Sequence, residues 1–148
     1  MRSRLDLNEF LPYLINRVGS AVAVRFTEDP LAAHGLSIAM WRVLAVLSSN
    51  GGQRQIDLSE STSIDSSTLS RLVTRLVRMG LVMRSRSRTS NREVVVTLSA
   101  KGRATVERLI PIALATEKVL GAGVSKRDLA VVKRALRRMH ANMSRRQP

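Results

Sequence analysis

Between positions 65 and 78 the chain gathers hydroxyls and guanidiniums at helical spacing. Ser66, Ser67, Ser70, Arg71, Thr74, Arg75 and Arg78 fall on one face of a helix, and Leu69, Leu72, Val73 and Leu76 form the apolar stripe on the other. Short hydroxyls near a helix start can reach phosphates and base edges, and the planar guanidinium fork matches O6 and N7 of guanine in a major groove. No acid lies on that face. The chemistry is therefore recognition of a polyanion, with double-stranded DNA as the expected partner. For Arg71 three roles stay open: pairing within the protein, phosphate contact and base readout. Ser66, Ser67 and Ser70 can serve equally as helix-start donors, phosphate donors or sequence readers.

A second basic cluster follows in RSRSRTSNREV, with Arg84, Arg86, Arg88 and Arg92 between two β-type runs, 81–83 and 94–98. An isolated run of this kind is a solvated loop that aids solubility. Beside the segment 58–82, LSESTSIDSSTLSRLVTRLVRMGLV, which reads as a helix-turn-helix, it reads as a wing, because arginine gains from the enhanced negative potential of a narrow minor groove.

Composition points the same way. The 148 residues carry 25 Lys and Arg against 11 Asp and Glu, a formal net charge of +14. Such a chain supports one core and not several independent domains. It has no cysteine and two histidines, His34 and His140, so one subunit cannot build a disulfide frame, a thiol switch or a Cys/His zinc cluster. No cofactor is expected. Glu107 and Glu117 have no nucleophile or base paired with them in the pattern, so an enzyme is not expected either. No signal pattern or membrane-length apolar run is present, and a soluble cytoplasmic protein with no membrane partner is the expectation. Aromatic content of 3% also argues against stacking on single strands or RNA as the main mode.

These residues need elements to hold them. Apolar spacing predicts a first helix over 11–27, a break near Pro30 and a stop at Gly35. Ser37 caps IAMWRVLAVL, which is apolar nearly all round and so buried, and Asn50, Gly51 and Gly52 end it. A short helix over 56–62 and a turn over 63–65 lead to Asp65, the N-cap of the arginine-bearing helix that Gly80 closes. Ser99 opens a helix with a kink expected at Pro111. Gly121 and Gly123 precede a last helix from Ser125, which should bury Leu129, Val132, Ala135, Leu136 and Met139. Its basic end, KRALRRMHANMSRRQP, reads as the outer face of a helix and a frayed tail rather than as a further arm on DNA.

In this order, HGLSIAMWRVLAVL, LSESTSIDSSTLSRLVTRLVRMGLV and RSRTSNREVVVTLSAKGR resemble the MarR family of bacterial winged-helix transcriptional regulators over nearly the whole chain. The resemblance implies a mainly α fold with a two- to three-stranded wing, a winged helix-turn-helix lobe over 35–101 and a dimerisation lobe from 1–34 and 102–148. It implies a homodimer that acts as a repressor, or less often an activator, at a near-palindromic operator, with recognition helices about 34 to 36 Å apart or a multiple of that. It puts Ser66, Ser67, Ser70, Arg71 and Arg75 towards the major groove and Arg92 at the wing arginine. One departure stands out: Ser90 occupies the place of an aspartate that commonly orients that arginine, and Asn91 that of a frequent second arginine. Met40 and Trp41 read as core by spacing. The resemblance adds a pocket for a small aromatic or anionic effector drawing on His34, Met40, Trp41 and Arg42. The other reading of the same charge is a non-specific nucleic-acid-binding or nucleoid-associated protein, distinguished by steep salt dependence without a preferred sequence.

Overall fold

Leu11–Phe26 forms α1 in the computed structural model, which describes residues 4–87, 89 and 93–144. Pro12 sits in its first turn, where no donor is lost. Pro30 falls one turn past its end, and there the chain widens into a π-turn over Thr27–Leu31, as a ring without an N–H that collides with the preceding turn requires. A 3-10 turn, Ala32–His34, follows and ends at Gly35, whose φ of 66° lies in the left-handed region. Helix α2, Ile38–Asn50, is capped by the Ser37 hydroxyl, which accepts from the Met40 amide at 3.2 Å.

Strand β1, Gln53–Arg54, leads into α3, Gln55–Thr62, and α4, Ser66–Arg78. The turn between α3 and α4 pivots on Ser63, with φ of 55°, while Ile64 packs inward. Thr62 is buried and its hydroxyl donates to the Leu58 carbonyl at 2.6 Å, so no polar group is orphaned there. Strands β2, Val82–Arg86, and β3, Val94–Leu98, complete an antiparallel sheet of order β1-β3-β2. Helices α5, Ala100–Leu120, and α6, Lys126–Ser144, follow.

One apolar core, from Phe26 to Leu109, joins α2, α3, α4, the sheet and the first half of α5. Leu69, Val73 and Leu76 of α4 are fully buried in it, so the stripe read from the sequence is the inner face of that helix. Trp41 is half-buried, edge-on to Phe26 with ring centres 5.3 Å apart.

Two expectations need correction. Strand β2 reaches Arg86 rather than ending at Met83, because β3 offers partners that far: Arg84 faces Val96 and Arg86 faces Val94. Arg84 and Arg86 are thus strand residues, not loop residues. Strand β1 makes the sheet three-stranded, as the resemblance allowed, and its position could not be read because two polar residues carry no period. Helix α6 buries none of its residues: Val132 and Leu136 are exposed, and Leu129, Ala135 and Met139 only half-buried, because little of the chain packs over them. Pro111 lies inside α5, which runs on as one helix.

Candidate nucleic-acid interface

Helix α4 begins at Asp65, whose carboxylate accepts from the Thr68 amide at 2.9 Å and from the Ser67 hydroxyl at 2.8 Å. These bonds, from Thr68 first and then Ser67, hold the carboxyl well below the usual carboxylate range. The helix start is thus capped by a fixed negative charge, and cations further along must meet any phosphate.

Those cations stand outwards. Arg71, Arg75 and Arg78 are exposed, and among the described residues none of them is in an ion pair. Arg71 makes only a long contact, donating from Nη2 to the Thr68 hydroxyl at 3.4 Å. Ser66 and Ser67 are exposed as well, although the Ser67 hydroxyl is engaged by the cap. Ser70 and Thr74 are half-buried. The Thr74 hydroxyl donates to the Ser70 carbonyl at 2.9 Å and accepts from Arg84 Nη2 at 3.0 Å, while Arg84 Nη2 also donates to the Ser70 carbonyl at 3.1 Å. Arg84 therefore leans back from β2 onto α4. Arg86 is exposed at the end of β2, and Arg88 and Arg92 lie outside the described residues. The hairpin is closed just below its tip by the Ser87 amide donating to the Glu93 carbonyl at 2.8 Å.

The far end of α4 is fastened to α5. Lys101 Nζ donates to the Met79 carbonyl at 2.8 Å, and the Ser99 hydroxyl donates to the Gly80 carbonyl at 2.6 Å while accepting from the Gly102 amide at 2.9 Å. A Cβ at Gly102 would stand 2.0 Å from the Leu81 carbonyl oxygen, so only glycine lets α5 begin this close. Sequence reading missed these braces and also Arg54 of β1, whose guanidinium joins Asp57 to Glu93. The signal available was weak: a basic residue in a loop with acids three and thirty-nine positions away.

Of the four residues of the expected effector pocket, Trp41 and Arg42 line one cavity together and Met40 and His34 do not join them. Arg42 is exposed and donates to the Thr62 carbonyl at 3.5 Å. It lines a mainly apolar cavity of about 560 Å³ among α1, α2, α5 and α6, with Leu14, Val18, Ile38, Leu120 and Leu136. Trp41 and Arg42 share a neighbouring cavity of about 350 Å³ with Val46 and Asn50. Met40 is fully buried in the core, and half-buried His34 lines neither cavity. Among the described residues no group of acids and histidines is arranged to hold a metal ion, and no helix is long and apolar enough to cross a membrane.

Comparison with known proteins gives consistent results. Residues 36–94 match the model of the MarR family. An HTH-type transcriptional repressor of Mycobacterium tuberculosis is 30% identical over 129 residues, 87% of this chain and 89% of that protein. A crystal structure of a MarR-family transcriptional regulator from Silicibacter pomeroyi superposes with a TM-score of 0.86 at 30% identity, covering 99% of this chain and 100% of that one. BpsR of Bordetella bronchiseptica, a protein whose DNA binding is regulated by 6-hydroxynicotinic acid, superposes with a TM-score of 0.78 at 26% identity over 88% of this chain and 98% of its own.

Proposed function

This chain belongs to the MarR family of transcriptional regulators, and from that premise we propose that it is a dimeric repressor acting at a near-palindromic operator. The observation that carries this reading is the outward face of α4: Arg71, Arg75 and Arg78 stand free of ion pairs among the described residues, beside a wing, on a helix whose other side is locked into the core. Affinity would come from phosphate neutralisation by this face and the wing, and preference from the few side chains that reach base edges. Ser66, Arg71, Arg75 and Arg78 are the residues of the outward face of α4 offered for this among the described residues, with Arg86, Arg88 and Arg92 supplied by the wing.

Dimerisation rests on a separate surface. Leu11, Leu14 and Val18 of α1, Leu114 of α5 and Val132 and Leu136 of α6 are exposed apolar residues on helices outside the DNA-facing lobe, 35–101. Burial of such residues between two copies is worth about 25 cal/mol per Å² of apolar area removed from water. Two-fold pairing there sets two α4 helices on one duplex and makes a near-palindrome the natural site.

The cavity containing Arg42 would take a small aromatic anion, its guanidinium meeting the acid group and its apolar wall the ring. That ligand releases DNA only if it binds more tightly to the dimer whose lobes are spaced wrongly for DNA. Selection of bound fragments from the organism's own DNA, followed by competition against random duplex, tests the reading. A recurrent near-palindrome is expected. Binding that falls steeply with salt and prefers no sequence establishes the non-specific alternative instead.

A further inference from the structure

Arg54 stands opposite Val95 of β3, and Glu93 is its diagonal neighbour two residues earlier in the chain. The guanidinium forks between two elements: Nε and Nη2 donate to Asp57 Oδ2 and Oδ1 at 2.7 and 2.8 Å, and Nη1 donates to Glu93 Oε1 at 3.0 Å. Asp57 lies in the first turn of α3, where negative charge is favourable. Arg54 itself fills the N-cap position of α3 without capping it, so an ion fork stands where a hydroxyl would ordinarily bond the helix start. The backbone of Glu93 is held as well, because its carbonyl accepts from Ser87 just below the hairpin tip.

We propose that Arg54 is a positioning residue for the wing, holding the β3 limb against α3 and engaging the Glu93 carboxylate so that the root of the hairpin, from which the basic segment leaves, is fixed. This rests on the DNA-binding reading above. The side chains are 48%, 40% and 40% exposed, so each pair adds little to stability by itself. Their effect is geometric: one guanidinium links β1, α3 and the root of the hairpin tip.

The test turns on a sign. A carboxylate that merely sits beside the wing repels DNA, and Glu93→Gln would tighten binding. A carboxylate that secures the wing gives the opposite result: Glu93→Gln weakens binding to the selected operator about two- to fivefold, the range set by an exposed ion pair, and tightens binding to neither the operator nor random duplex. Arg54→Ala is expected to do the same without altering the slope of affinity against salt, whereas loss of a phosphate contact lowers that slope by about one. The double variant should be no weaker than the worse single one. Thermal melting of each variant, with Arg54→Lys as the conservative control, shows that the fold persists. A wild-type protein that prefers its operator, with Glu93→Gln binding as tightly or more tightly, overturns this inference alone. A wild-type protein with no preferred duplex overturns the DNA reading and this inference with it.

Discussion

The Arg84 guanidinium donates to the Thr74 hydroxyl at 3.0 Å, stitching the ascending strand of the wing to the middle of α4. The same nitrogen reaches the Ser70 carbonyl, to which Thr74 also donates, so the three residues form a closed set of bonds. Their polar atoms join β2 to α4 and are engaged with one another.

Thr74→Val should therefore leave base preference unchanged, since the hydroxyl is already committed within the protein. Arg84→Ala should cost about 0.5 to 1.5 kcal/mol of stability, towards the lower figure because the site is exposed. Urea denaturation of both single variants and the double checks the coupling between them. A preference that relaxes at one base pair in Thr74→Val would return that residue to the set of readers.

How much of this arrangement was legible differs by residue. The Leu69, Val73 and Leu76 stripe and the Asp65 cap were readable because each rests on a local rule, helical period or capping, that needs no partner elsewhere. Arg84, Arg54 and Lys101 were not, because Thr74, Glu93 and Met79, which tie them to other elements, lie 10, 39 and 22 positions away and are met only once the sheet and helices have closed. Helix α6 failed for another reason: its apolar spacing shows that it has a face to bury but not that its own chain covers it. Met40 and Trp41 are neighbours in sequence on α2, yet one lies at the centre of the core and the other at its margin beside a cavity.

Gly102→Ala should be among the most damaging small changes where α5 meets the base of the wing. Its Cβ would overlap the Leu81 carbonyl oxygen, a backbone atom that cannot swing aside as a side-chain tip would. Relief requires α5 to move from the base of the wing, with a cost of about 1 to 3 kcal/mol by comparison with overpacked cores. Thermal denaturation measures it; a variant as stable as the parent would mean that α5 does not approach this closely.

Asp65→Asn offers a test through pH. The folded carboxyl is held below its unfolded value by Thr68 and Ser67, so its contribution is fully present above about pH 4 and is lost as pH falls through the lower folded value. Asparagine caps nearly as well but does not titrate. The stability difference between parent and variant should be constant near neutrality and shrink only in strong acid, as followed by denaturation at a series of pH values. A difference that disappears near pH 6 would exclude this carboxylate as its source.

Arg71 and Arg75 stand one turn apart on the exposed side of α4, and their alanine variants should separate the two ways an arginine can hold DNA. A base reader loses about 1 to 3 kcal/mol on the operator, relaxes preference at one position and leaves random duplex nearly unchanged. A backbone anchor weakens both duplexes alike and lowers the salt slope by about one. Arg71 has only the long Thr68 contact to surrender on binding, so its loss should appear almost entirely in the complex and not in the stability of the free protein. Measuring affinity at three or more salt concentrations for both duplexes assigns each residue. If neither variant changes either duplex, α4 does not face the DNA, and the reading built on its outward side fails.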